Sequence, residues 1–226
     1  MTALHAPRSV RRAVIFDLDG VLVDSFAVMQ EAFAIAYKEV VGDGPAPFDE
    51  YRHHLGRYFP DIMRIMNLPL EMEEPFVRES YRLAPQVPVF DGIVELLVTL
   101  RVRRLKLAVA TGKGGSRARS LLDQLGLLPF FDHVIGSDEV ARPKPAPDIV
   151  EYALDLMGVP PEQAVMVGDA PTDIASAHGA GVTSVGALWA LSDPAELLAA
   201  EPAVVLRRPG DLLSLCPSVP RRLTID

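Results

Sequence analysis

The sequence of 226 residues lacks the features typical of secreted, membrane-spanning or nucleic-acid-binding proteins. Its single cysteine, Cys216, excludes an internal disulfide and favours a reducing compartment. No apolar run approaches the roughly 20 residues that a membrane-spanning helix requires. The formal charge of −8 argues against the broad basic surface that nucleic acids and anionic membranes require. We therefore expect a cytoplasmic protein that binds neither nucleic acid nor membrane.

The composition and length of the sequence are ordinary for a globular protein. It is 49% hydrophobic and 23% charged, and it is long enough to bury a substantial core. The first twelve residues carry three arginines but no following apolar segment, so we expect no secretory signal there. No heptad pattern indicates an oligomeric state, which the sequence leaves unknown.

Short apolar or β-branched segments alternate with longer helical patterns along the chain. We predict strands at 13–16, 106–110, 133–135, 164–167 and 183–186, and helices at 25–40, 93–103, 115–125, 146–157 and 172–178. The alternation predicts an α/β fold in which a Rossmann-like parallel sheet carries helices on both faces. The segment 191–226 is expected to add a helix, an edge strand, a short helix and an irregular tail.

About ninety residues separate the first two predicted strands, far more than the dozen or so that a simple crossover needs. Residues 24–88 contain three helical apolar patterns separated by loops. We predict that they form a small α-helical cap domain, inserted into an α/β core made of 1–23 and 89–226. The two connections between cap and core are candidates for motion over a site on the sheet.

The strongest local signal is the segment DLDG directly after the first strand, which contains Asp17 and Asp19. Carboxylates at positions i and i+2 of an extended chain point the same way, and Gly20 permits a sharp turn after them. In open α/β sheets, ligands bind at this end of the strands. Aspartate and glycine are also common in plain turns, so the motif alone is not decisive.

A second acidic cluster, GDAPTD, follows the fourth strand and contains Asp169 and Asp173. Two carboxylates four residues apart supply the oxygen ligands that a hard cation such as Mg²⁺ prefers. The alternative is that Asp169 caps the next helix while Asp173 adds favourable charge to its first turn. Their placement alongside Asp17 and Asp19 favours a metal site.

Between the acidic clusters lie two motifs suited to binding phosphate. Thr111 and Gly112 open a glycine-rich turn that leads into a helix, where backbone amides meet anions. Lys144 stands between two prolines that restrict its loop. Each motif is weak when taken singly, since a glycine-rich turn and a surface lysine are both common.

The four motifs, in this order and strand context, resemble those of the haloacid dehalogenase superfamily over nearly the whole chain. The resemblance implies a hydrolase in which Asp17 attacks phosphorus and becomes transiently phosphorylated. Asp19 would act as general acid and then as general base. Thr111, Gly112 and Lys144 would bind the transferred phosphoryl group of a small-molecule phosphomonoester.

The same resemblance implies Mg²⁺ as the cofactor. Asp17, the backbone carbonyl of Asp19, and Asp169 would hold the ion, and Asp173 would support it directly or through water. Mg²⁺ and a nearby cation must offset the repulsion between a phosphomonoester dianion and an aspartate nucleophile.

The position of the insertion resembles the phosphoglycolate phosphatase and β-phosphoglucomutase branch, which carries a helical cap. Within the cap, the segment HHLGR resembles that branch's substrate-facing loop, which makes His53, His54 and Arg57 candidate specificity residues. An exposed polar turn is the alternative for this loop. The cap also resembles phosphatases of 3-amino-5-hydroxybenzoate formation. The chain departs from the common pattern at Ala170, which replaces a small polar residue.

A phosphatase is the leading interpretation, because Asp19 supplies the acid and base that releases an alcohol and activates water. A sugar phosphomutase of the β-phosphoglucomutase type is the alternative, since it uses the same core. A non-catalytic binding protein is a third hypothesis, because a fold does not dictate function. Retention of all four acids weighs against it.

Overall fold

A six-stranded parallel sheet forms the centre of the computed structural model, which describes residues 11–191 and 193–217. The strands are β1 (Ala13–Phe16), β2 (Lys106–Thr111), β3 (His133–Gly136), β4 (Ala164–Gly168), β5 (Thr183–Ala187) and β6 (Val204–Leu206). The helices are α1 (Phe26–Val40), α2 (Phe48–Arg52), α3 (Phe59–Ile65), α4 (Glu73–Leu83), α5 (Ile93–Val102), α6 (Gly115–Gln124), α7 (Asp148–Met157), α8 (Pro171–Gly179) and α9 (Ala195–Ala199). The five strands and five helices predicted from the sequence are all present, with ends that differ by a residue or two.

The predicted closing elements are also present within the described residues. Helix α9 precedes the edge strand β6, and a 3₁₀ segment at Pro209–Ser214 follows it. Most of the predicted irregular tail, and most of the twelve-residue start, lie outside the described residues. None of the helices among the described residues is long and apolar enough to cross a membrane.

Alternate side chains of the strands bury themselves in two separate cores, one on each face of the sheet. On one face, Val14 and Phe16 pack with leucines of α5 and α6. On the other, Ala13 and Ile15 pack with apolar residues of α7 and α8. This period of two explains why the strands are apolar throughout: both faces are covered. The predicted α/β Rossmann-like fold is confirmed.

The order of the strands, β3-β2-β1-β4-β5-β6, places β1 between β2 and β4. Phe16, the last residue of β1, is in register with Val109 of β2 and Val167 of β4. The loops that follow these three strands therefore meet at one edge of the sheet. This edge is the point at which the strand order reverses, where open α/β sheets form their ligand crevice.

Helices α1 to α4 belong to the inserted segment, residues 24–88. They pack around a group of aromatic side chains, in which the ring centroids of Phe59 and Phe76 lie 4.1 Å apart and those of Phe33 and Tyr51 lie 4.6 Å apart. The chain leaves and re-enters the sheet region at neighbouring points, because the amide of Asp24 donates to the carbonyl of Pro88 at 2.9 Å. The sequence predicts that the inserted segment is a separate cap domain, and we retain this division as a proposal.

Candidate active site

A cavity of about 510 Å³ lies between the carboxyl edge of the sheet and the inserted segment. We call it the main cavity. Five residues predicted for the core of the site line it: Asp17, Asp19, Thr111, Gly112 and Asp169. Its volume lies within the range usual for small-molecule sites. Residues at or just after the ends of three separate strands, spread between positions 17 and 169 of the sequence, therefore meet at one cavity.

Lys144 lies beneath the cavity floor and holds two of the predicted acids together. Its fully buried ammonium donates to Asp17 Oδ1 at 2.9 Å, to Asp173 Oδ1 at 2.5 Å and to the carbonyl of Ala110 at 3.1 Å. The two carboxylates raise the pKa of Lys144 above its usual range although burial opposes them. All three ammonium donors thus have protein partners, and the predicted contact of Lys144 with phosphate stays a prediction.

Asp17, Asp169 and Asp173 form an acidic cluster at the switch point of the sheet. One carboxylate oxygen from each lies within 4.8 Å of the others. Burial, the largest effect, raises the pKa of Asp17 to about 7, against the opposing charge of Lys144. Burial and the charge of Asp17 likewise raise the pKa of Asp169 well above its usual range. The single positive charge of Lys144 thus leaves excess negative charge in the cluster.

This donor set fits Mg²⁺. It consists of carboxylate oxygens from two buried aspartates and one half-buried aspartate, which are the hard ligands that the ion prefers. A divalent charge would relieve the repulsion between these carboxylates. Asp173 is less free than Asp17 and Asp169, because its Oδ1 accepts from Lys144 and its Oδ2 accepts from the amide of Ala170 at 3.1 Å. This suits the predicted supporting role of Asp173, which remains a prediction.

Asp19 lies at the same cavity but has a different environment. Its Oδ2 lies 3.1 Å from the ammonium of Lys113, and its Oδ1 accepts a hydrogen bond of 2.5 Å from the hydroxyl of Ser25. Burial alone would raise the pKa of Asp19, but Lys113 and Ser25 outweigh it and lower the pKa below its usual range. The two acids of the DLDG motif therefore have different surroundings: Asp17 lies in the acidic cluster, whereas Asp19 lies beside a cation.

At two positions of the site, the backbone lies so close to other atoms that only glycine fits. Gly20 has φ +81°, and a Cβ there would lie 2.0 Å from Asp169 Oδ2, so a side chain would collide with the acidic cluster. At Gly112, a Cβ would lie 2.6 Å from the carbonyl oxygen of Gly56. The loop of the inserted segment therefore rests directly on the predicted phosphate-binding turn.

The three candidate specificity residues occupy different positions in that loop. His53 and Arg57 line the main cavity, and His53 Nδ1 lies 3.6 Å from Glu196 Oε1 of α9. His54 is not among the described residues that line the cavity. The predicted roles of all three in specificity remain predictions.

Lys113, Ser25 and Arg117 also belong to the site, and the sequence did not single them out. Lys113 occurs in the predicted glycine-rich turn, two residues after Thr111, and this spacing could have indicated it. Ser25 and Arg117 give no comparable signal, because each lines the cavity only as a result of how its helix packs against the rest of the fold. Arg117 lies on α6 and faces α4, which the sequence does not relate to one another.

Comparison with known proteins identifies the family that this chain matches. A family model described as haloacid dehalogenase-like hydrolase matches residues 14–187, which contain every site residue predicted from the sequence. A relative from Dickeya dadantii, named "Probable phosphatase IndB", is 36% identical over 206 residues, covering 85% of this chain and 88% of that protein.

Two further similarities extend over most of the chain. The pyrophosphatase PpaX of Listeria monocytogenes is 30% identical over 207 residues, covering 89% of this chain and 94% of that protein. Among solved structures, a haloacid dehalogenase-like family hydrolase from Streptococcus pneumoniae has a TM-score of 0.78 and 26% identity, covering 90% of this chain and 97% of that one.

Proposed function

Because the chain belongs to the haloacid dehalogenase-like hydrolase family, we propose that it is a cytoplasmic, magnesium-dependent phosphatase that hydrolyses a small organic phosphomonoester. One observation carries the proposal. Asp17 and Asp19 open on the same cavity, yet Asp17 belongs to the acidic cluster while Asp19 is held apart from it by Lys113 and Ser25. A nucleophile and a separate acid and base are what phosphomonoester hydrolysis requires.

In the first half of the reaction, a carboxylate oxygen of Asp17 forms a bond to phosphorus. The bond between phosphorus and the ester oxygen breaks, and Asp19 gives its proton to that oxygen, so that an alcohol leaves. Asp19 must be protonated for this step, although Lys113 favours its carboxylate. A phosphoryl dianion bound beside Asp19 raises the pKa of this carboxyl and so opposes Lys113.

In the second half, water attacks phosphorus and Asp19 takes a proton from it. The bond between phosphorus and Asp17 breaks, inorganic phosphate leaves, and both aspartates return to their starting states. The ion pair with Lys113 favours the carboxylate form of Asp19 that this step needs. Thr111, which is buried at the end of β2, and the turn at Gly112 both line the cavity and would bind the phosphoryl oxygens.

Asp17, the backbone carbonyl of Asp19, and Asp169 would hold Mg²⁺, with Asp173 in support. When bound, the ion supplies positive charge that offsets the repulsion between the phosphoryl dianion and the carboxylate of Asp17. The chain's own contribution is to hold Asp17 in place: Lys144 fixes one carboxylate oxygen, and the amide of Asp17 donates to the carbonyl of Val167 at 2.8 Å.

The direct test replaces the nucleophile. In Asp17→Asn, release of phosphate from a panel of small phosphomonoesters with saturating Mg²⁺ should fall below detection, and the phosphorylated protein seen by mass spectrometry after rapid quenching should disappear. Asp123→Asn, an exposed aspartate on α6, is the matched control and should behave as wild type. Full activity in Asp17→Asn would remove Asp17 as the nucleophile.

The candidate substrates differ in their leaving groups and not in the phosphoryl group that is transferred. Phosphoglycolate, or an aminated precursor of 3-amino-5-hydroxybenzoate, presents the same phosphoryl group to Asp17. A phosphomutase would instead retain a bisphosphorylated sugar and protect phosphorylated Asp17 from water. Measuring free phosphate beside the isomerised sugar phosphate separates the two reactions, and we expect free phosphate as the product.

A further inference from the structure

Arg117 is a cation at the main cavity without a carboxylate partner. It extends from α6 towards α4, where its guanidinium carbon lies 5.1 Å from the centroid of the Phe76 ring and its Nη1 lies 3.3 Å from the hydroxyl of Ser80. No ion pair among the described residues includes Arg117. Arg119, one half-turn away on the same helix, is by contrast paired with Glu139 at 3.0 Å.

The carboxylate whose charge acts most strongly on Arg117 is that of Asp19, which already has two other partners. Asp19 is held by Lys113 and Ser25. Burial lowers the pKa of Arg117, and the charge of Asp19 offsets this effect only in part. Arg117 is a half-buried cation with five donor hydrogens and one hydrogen bond of 3.3 Å, and a cation withdrawn from water is costly unless a partner is supplied.

The wall beside Arg117 is aromatic. Tyr51, Phe59 and Phe76 all line the main cavity, and the stacked rings of Phe59 and Phe76 continue the surface on which the guanidinium lies. Apolar walls exclude water and strengthen any charge interaction at this point. A planar cation on an aromatic wall suits a ligand with a flat apolar body and an anionic edge.

We propose that Arg117 binds a second anionic group on the substrate, so that the preferred substrates are phosphomonoesters whose leaving group joins a planar apolar body to a carboxylate or a second phosphate. This inference rests on the phosphatase activity proposed above and specifies its substrate class. The transferred phosphoryl group lies at Asp17 and Asp19, and the second anion lies at Arg117, in the same cavity. Arg57 also lines the cavity, but no ring contact or hydrogen bond of its side chain is found among the described residues.

The test compares substrates that differ by one anionic group. We expect wild-type kcat/KM to be roughly 10- to 100-fold higher for 3-carboxyphenyl phosphate than for phenyl phosphate. Arg117→Met keeps the aliphatic stem that packs on Phe76 and removes the charge, and should bring this ratio near one. Arg117→Lys should restore part of it. Arg119→Met, the matched control, should keep the wild-type ratio. The same comparison with 1,3-phenylene bisphosphate distinguishes a second phosphate from a carboxylate.

A merely structural role for Arg117 predicts a different result, because loss of packing lowers kcat/KM for both substrates by the same factor. That result, or a wild-type ratio near one for both anionic substrates, would overturn the inference. If no phosphomonoester releases phosphate, the proposed function fails instead. The inference is then decided by calorimetric binding to Asp17→Asn.

In the Asp17→Asn protein, 3-carboxyphenyl phosphate should bind more tightly than phenyl phosphate, and adding Arg117→Met should remove this difference. In the same Asp17→Asn protein, 3-carboxyphenyl phosphate should also bind more tightly than phosphoglycolate, which has a carboxylate but no ring. Equal affinity for 3-carboxyphenyl phosphate and phosphoglycolate would contradict the aromatic part of the inference, and an affinity unaffected by Arg117→Met would contradict the rest.

Discussion

Lys113 Nζ lies 3.1 Å from Asp19 Oδ2, in an ion pair that the main cavity's walls largely shield from water. The pair explains how two aspartates separated by one residue differ chemically: burial raises the pKa of Asp17 to about 7, whereas Lys113 and Ser25 overcome burial and lower the pKa of Asp19. One carboxylate belongs to the acidic cluster, and the other is the one that we propose for proton transfer.

Replacing Lys113 should impair turnover more than binding. In Lys113→Met, Asp19 keeps only its hydrogen bond from Ser25, so we expect kcat to fall by at least about tenfold while KM changes by less than about threefold. Steady-state kinetics on one phosphomonoester at saturating Mg²⁺ measures both. Lys106→Met, at the exposed opposite end of β2, is the control and should retain wild-type kcat. An unaltered kcat in Lys113→Met would show that the ion pair does not position Asp19.

Replacing Asp169 should weaken Mg²⁺ binding and stabilise the metal-free protein. Asp169→Asn removes one oxygen ligand, so the Mg²⁺ concentration for half-maximal activity should rise by at least about tenfold. Burial and Asp17 both disfavour the charged form of Asp169, which is why its pKa is raised. The neutral amide should therefore raise the free energy of unfolding measured in a chelator.

Calorimetric titration of Mg²⁺ and chemical denaturation measure these two effects separately. Asp155→Asn, an exposed position on α7, is the matched control for both. A variant that binds Mg²⁺ as tightly as wild type would contradict the proposed ligand set.

Gly20 and Gly92 allow backbone strain to be separated from collision with the acidic cluster. Their φ angles are +81° and +83°, but a Cβ at Gly20 would lie 2.0 Å from Asp169 Oδ2, whereas a Cβ at Gly92 would have nothing within 4 Å. Alanine at either position should cost about 1 to 2 kcal/mol of unfolding free energy from the left-handed backbone. Only Gly20→Ala should also lose Mg²⁺-dependent activity.

Thermal unfolding and phosphate release, measured on both variants, test this expectation. Equal activity in the two variants would mean that Asp169 moves aside without consequence for the reaction.

Cys216 should make stability depend on pH in the alkaline range. Burial raises the pKa of its thiol from 9.0 to about 11, so between these values the unfolded chain releases a proton that the folded chain retains. The free energy of unfolding should therefore fall as pH rises through this range, by about 1 kcal/mol at pH 10, and the thiol should have almost no effect below about pH 8.

Urea denaturation of wild type and Cys216→Ala at pH 8 and pH 10 isolates this contribution. The decrease between the two pH values should be smaller in the variant, and an identical decrease would exclude the thiol as its source.

The sequence predicts the sheet well because its signals are local. Strands covered on both faces must be apolar throughout, and Gly158, which ends α7 with φ +58°, is the residue that such a helix end favours. Asp17 and Asp169 could be placed together for a related reason: parallel strands fix which ends meet, so a short motif after each strand gives its position.

The remainder of the site depends on packing between distant segments. Arg117 reaches the main cavity only because α6 packs beside α4, and Lys144 reaches Asp17 across 127 positions of sequence. No periodicity within one helix or loop encodes such a contact. For the same reason His54 and Arg57, neighbours in one predicted loop, have different relations to the cavity.

The chain enters and leaves the inserted segment through adjacent residues, since Val23 and Val89 form a bridge and the amide of Phe90 donates to the carbonyl of Leu22 at 3.1 Å. The strands of the sheet therefore need not move if the segment between these residues is lengthened, shortened or exchanged. We therefore expect that the inserted segment, residues 24–88, can be exchanged for another of different length or sequence while Asp17 and Asp19 stay where β1 holds them.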